Sequence, residues 1–170
     1  MSLRRRLARH IHKQDIQEIC LTLQNQKNGR EELFALLFDE DKRTADNAAW
    51  TLTHLPKEYR TWLASKQNAL IDETMKTTST TKRRLILTLL ERQPFAKEDL
   101  RTEFLDFCLL RIASPIQPVG IRALCVKLAY KQCHFYPELL EELKHTLDML
   151  EQEGETPAIK NVKKNILKQI

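Results

Sequence analysis

Three glycines among 170 residues leave few positions tolerant of positive φ, which argues against a fold built on tight β-hairpins. Those glycines, Gly29, Gly120 and Gly154, stand alone, so no glycine-rich loop is present to cradle a phosphate. No run of about 18 apolar residues occurs, so no segment reads as a membrane-spanning helix. The basic start MSLRRRLARHIHK is not followed by an apolar stretch, so no secretory signal is expected. It is Arg-rich and acid-free, as organellar presequences are, but short and poor in serine; a cytoplasmic location is the expectation. Cysteine is sparse too. Cys20, Cys108, Cys125 and Cys133 each fall inside an apolar stripe and none forms a C-x-x-C pair, so they read as buried thiols in a reducing compartment.

Against these shortages the chain is rich in Leu, Ile, Ala and charge. It is 42% hydrophobic and 30% charged, enough for one domain with a core. Its formal net charge of +5 permits an acidic protein, a nucleic acid or a membrane surface as partner and requires none of them.

Helical periodicity runs almost throughout. Leu3, Leu7 and Ile11 line a first helix. Asp15 and Glu18 are spaced as a capping box before Ile16, Ile19, Cys20 and Leu23, one buried face. Asn28–Gly29 has the composition of a left-handed helix stop. Four helix pairs follow: Arg30 to Phe38 with Lys42 to Leu55, Gln67 to Thr77 with Lys82 to Arg92, Glu98 to Ala113 with Gln117 to Cys133, and Pro137 to Glu151 with Pro157 to Ile170. Between the first two pairs Pro56 opens a short linker carrying Tyr59, Trp62 and Leu63. Glu32, Asn68, Glu103 and Glu138 recur at a spacing of about 35 residues, the range of two-helix repeats.

The segment Asp39 to Leu55, DEDKRTADNAAWTLTHL, carries the most specific pattern. An acidic turn precedes a base early in the second helix, Arg43, and then the small pair Ala48 and Ala49. Weaker versions follow in Lys82, Arg83 and Arg84, in Ser114, Pro115, Arg122 and Ala123, and in Thr156, Pro157, Ala158 and Lys160. This resembles the HEAT/armadillo-like family of helical repeats over about residues 30 to 170. The resemblance implies an all-α, right-handed α-solenoid of about four HEAT-like pairs (30–55, 67–92, 98–133, 137–170), with extra N-terminal helices at 2–28, all in one domain spanning 1–170. A bundle of unrelated hairpins would show the same amphipathic helices without the constant period.

Charge divides between the two helices of each pair. The four first helices with their turns hold 17 acids against 5 bases, and the four second helices 13 bases against 2 acids. In HEAT-like stacks the second helices usually line the concave side, so the resemblance implies a basic concave face. Its candidate residues are Arg43, Lys82, Arg83, Arg84, Arg122, Lys127, Lys131, Lys160, Lys163 and Lys164, and Arg4, Arg5, Arg6 and Arg9 could extend it. Not all can face one way, because successive helical residues are about 100° apart. The expected function is a non-catalytic scaffold taking an acidic protein partner there, with a nucleic acid as the alternative. A solvated polar face whose charges pair locally accounts for the same pattern.

Chemistry has little to rest on. HEAT-like folds include the alkylpurine DNA glycosylases, and that resemblance would assign a catalytic carboxylate and an aromatic to Asp46 and Trp50, one helical turn apart, with Tyr59 and Trp62 near in sequence. The simpler reading has Trp50 packing at the edge of the Ala48/Ala49 contact and Asp46 facing solvent. His10 and His12 fall on opposite sides of a helix and cannot share an ion. Adjacent Cys133 and His134 suit no closed zinc site. No cofactor and no metal ion is expected. Phe95, Phe135 and Tyr136 fall at turns between repeats, where plugs are expected. Ile166 and Ile170 continue the last apolar stripe and either cap the core or meet a partner.

Overall fold

The computed structural model describes residues 1–150 and 155–170, and those residues contain helices and no strand. Two compact units divide the chain, Met1–Leu89 and Leu90–Ile170.

The first unit opens with α1 (Leu3–Leu7), α2 (Lys13–Gln24) and α3 (Gly29–Leu36), and α4 (Lys42–Thr53) packs against all three. Ala48 and Ala49 are fully buried, and such small side chains let neighbouring backbones come close. Asp41 caps α4 by accepting from the Thr44 amide at 3.0 Å and the Thr44 hydroxyl at 2.6 Å. This satisfies one of the amides that every helix start leaves unpaired. A 3₁₀ turn (Lys57–Tyr59) leads into α5 (Arg60–Ala64), α6 (Gln67–Lys76) and α7 (Thr80–Glu91).

Three local expectations fail near the N-terminus. The first helix ends at Leu7, so Ile11 reaches the core from the connecting segment instead of continuing a stripe. Asp15 does not open α2: it is the third residue of a helix capped at His12, whose amide it accepts at 2.7 Å. Gly29 is not a left-handed stop, since α2 closes at Asn25 and Gly29 begins α3. The position is tight instead, because a Cβ there would stand 2.8 Å from Leu23 Cδ2.

The second unit holds a 3₁₀ turn (Lys97–Asp99), α8 (Thr102–Ala113), α9 (Val119–Cys133), α10 (Pro137–Met149) and α11 (Pro157–Leu167). α9 packs against α8, α10 and α11, and buries Ile121, Cys125, Val126, Leu128, Ala129 and Cys133 on several sides, as a central helix must. α8 starts at Thr102, four residues later than the expected Glu98. Asp99 takes the Ala96 amide at 2.7 Å, which closes a single 3₁₀ turn before the chain extends at Leu100.

All four cysteines are buried. Phe95 is buried, and the half-buried Tyr136 donates its hydroxyl proton to the Lys97 carbonyl at 3.1 Å. Ile166 joins the core while Ile170 stays exposed. The expected continuation of helix ten to Glu151 lies partly outside the described residues.

Candidate binding surface on the second helices

The ten candidate bases separate into two groups. Arg43, Arg84, Lys127, Lys160 and Lys164 are exposed, and their side chains make no ion pair among the described residues. The other five are committed to the fold.

Arg83, the fourth residue of α7, donates from Nε to the Thr74 carbonyl at 2.9 Å and from its guanidinium to the Thr77 carbonyl. Arg122, the fourth residue of α9, donates twice to the Ile112 carbonyl at 3.1 and 2.8 Å. Both therefore satisfy carbonyls left open where the first helix of their own pair ends. Lys131 does the same for the end of α7, donating to the Glu91 carbonyl and, at 2.8 Å, to that of Gln93. Burial lowers the Lys131 pKa.

Lys82 and Lys163 sit in buried ion pairs. Lys82 Nζ lies 2.7 Å from Glu73 and Lys163 Nζ 2.9 Å from Glu155, with all four side chains at most 14% exposed. Their charge is neutralised inside the fold.

The N-terminal segment contributes less than its four arginines suggest. Arg4 holds Asp39 through two bonds, Nε at 2.8 Å and a guanidinium nitrogen at 3.1 Å. The arginine and the Asp41 amide keep the Asp39 carboxyl below its ordinary pKa. Arg5 and Arg9 are exposed and Arg6 is half-buried.

On α11 the exposed bases continue past the sequence-derived set. Lys160, Lys164 and Lys168 are spaced four residues apart, and with Lys163, Leu167 and Glu155 they border a hollow of about 400 Å³. Lys168 was missed as a site residue, although the four-residue spacing is legible in the sequence.

The carboxylate–tryptophan pair on α4 is taken up by local contacts. Asp46 is half-buried, not solvent-facing: it pairs with Lys42 at 3.1 Å and accepts the Ser79 hydroxyl at 2.7 Å. Trp50 meets His54 edge-on at 6.2 Å. Trp62 belongs to another cluster, edge-on to Phe34 and Tyr59, with its indole N–H donating to Glu31 at 2.6 Å. Arg30 and Lys66 lie over its ring at 5.3 and 5.9 Å. His10 and His12 are not on a helix at all, and their rings meet at 4.9 Å. Among the described residues no three His, Cys, Asp or Glu side chains are grouped to hold a metal ion, and no helix is long and apolar enough to cross a membrane.

Neither a curated protein nor a solved structure matches the chain. The arrangement is one of successive helices in which α4 and α9 are packing hubs and each second helix carries an early base. The family model described as HEAT repeat domain matches residues 3–170, and the chain belongs to that family.

Proposed function

We propose that this chain is a non-catalytic scaffold that binds an acidic stretch of a partner protein through the exposed bases of its second helices. HEAT repeats generally serve as protein-interaction scaffolds, which favours a protein over a nucleic acid. The observation that carries the reading is the sorting of the bases. After those needed for capping and buried pairing are set aside, every second helix keeps at least one exposed base without an acidic partner among the described residues: Arg43 on α4, Arg84 on α7, Lys127 on α9, Lys160 and Lys164 on α11. Such charges steer and orient an oppositely charged partner more than they stabilise a fold.

The test is titration of a fluorescent Glu-rich peptide and a duplex DNA of equal charge at two salt concentrations. Two variants are compared, Arg43→Glu with Arg84→Glu in the first unit and Lys127→Glu with Lys160→Glu and Lys164→Glu in the second. The expected result is peptide binding that at least one variant weakens about tenfold, equivalent to about 1.4 kcal/mol. Unchanged peptide affinity in both variants removes the proposal. Tighter DNA binding with a steep salt slope replaces it with nucleic-acid recognition, because phosphate contacts release counterions.

A further inference from the structure

The hollow on α11 brings several of the exposed second-helix bases onto one space. Lys160, Lys164 and Lys168 stand on a single flank of the helix, four residues and therefore about 6 Å of helix rise apart. All three are exposed, and none makes an ion pair among the described residues. Flexible four-carbon stems let ammonium groups at this spacing converge on one point. Among the described residues the one acid bordering the hollow is Glu155, held by Lys163 at 2.9 Å with both side chains under a tenth exposed. Its negative charge is thus offset in place, and among the described residues no acid pairs with the three outer lysines.

We infer that the α11 hollow is a seat for a phosphomonoester dianion, and that the acidic partner is engaged there through a phosphorylated side chain. This rests on the reading of the chain as a binder of acidic protein segments. A carboxylate carries one charge and two acceptor oxygens. A phosphomonoester carries between one and a half and two charges near neutral pH, with three strong acceptor oxygens, roughly, and so matches three ammonium donors in one place. A nucleic acid fits less well, because a polynucleotide calls for a long basic track along its backbone, whereas these three lysines border one open hollow of about 400 Å³.

The experiment uses the full chain and a labelled nine-residue acidic peptide in two forms, with one phosphoserine and with serine at that position. A single-stranded oligonucleotide of the phosphopeptide's charge is the third probe. The phosphopeptide is expected to bind at least about tenfold tighter than its twin. Lys164→Gln with Lys168→Gln, on exposed positions that leave the core intact, should bring the two peptides to the same affinity, and millimolar inorganic phosphate should compete for the phosphopeptide alone. Equal affinity of the two peptides, with both bound, overturns the phosphate seat and leaves the scaffold reading standing. Failure of both peptides to bind overturns both. Oligonucleotide binding stronger than the phosphopeptide's, and lost in the same variant, reassigns the hollow to nucleic acid.

Discussion

Ser79 donates its hydroxyl proton to Asp46 at 2.7 Å while the same oxygen accepts the amide of Lys82 at 3.1 Å. One serine thus caps the start of α7 and ties that start to α4 of the preceding pair. The carboxylate that the glycosylase resemblance would assign to chemistry is a joint between repeats.

Removing either partner should loosen that joint. Ser79→Ala is expected to cost about 1 kcal/mol, the usual loss of a helix cap. Asp46→Ala should cost a similar amount, and the double variant less than the sum. Urea unfolding of the four-member cycle checks this, and a coupling under about 0.3 kcal/mol would show the two residues to be independent.

Arginines one position apart on α7 should behave differently. Arg83→Ala removes the donors to the Thr74 and Thr77 carbonyls and should destabilise by about 1.5–3 kcal/mol, the range for bonds to a charged group. Arg84→Ala, at an exposed position, should stay within about 0.5 kcal/mol. Arg122→Ala is expected to follow Arg83. Equal, small effects at all three would return Arg83 and Arg122 to the binding surface.

The Lys82–Glu73 pair, with side chains 7% and 14% exposed, should be far more sensitive to losing one member than both. Lys82→Met strands a nearly buried carboxylate and is expected to cost about 3 kcal/mol or more, whereas Lys82→Met with Glu73→Leu should recover most of that loss. Thermal and urea unfolding of the single and double variants give the comparison.

Acid should weaken the first unit at the Arg4–Asp39 contact. The Asp39 pKa is depressed in the folded chain, first by the Arg4 hydrogen bond. Its contribution is therefore present above the unfolded value of about 3.9 and is lost as pH falls through the lower folded value. An NMR titration should place the Asp39 midpoint below the ordinary value, and Arg4→Ala should move it up. A midpoint unmoved by that substitution would mean that Arg4 does not hold the carboxylate in solution.

Thiol reactivity should report global opening. All four cysteines are buried. Burial raises the pKa of Cys20 and Cys108, and pushes that of Cys133 up to about 12. Because the thiolate is the reactive form, a thiol reagent at pH 8 should label the native chain slowly and the denatured chain at all four sites. Rapid labelling of one native site would locate a local opening.

The sequence by itself determined the helices and the family, because apolar spacing and turn residues act over one or two helical turns. The period of about 35 residues and the small Ala48–Ala49 pair were legible for the same reason. The segregation of acids and bases between first and second helices was legible as well. Tertiary structure decided what each charge does. Arg83 and Arg84 are neighbours in sequence, yet about 100° of helical rotation turns one toward the open carbonyls of α6 and the other toward water. Lys163 and Lys164 divide in the same way, one buried against Glu155 and the other exposed. Gly29 shows the limit in the other direction, since composition suggested a stop and the approach of Leu23 made it a contact. Helices follow from short-range periodicity. A charge's role depends on which carbonyl or carboxylate the fold brings within about 3 Å of it, and that distance is set by residues far away in the chain.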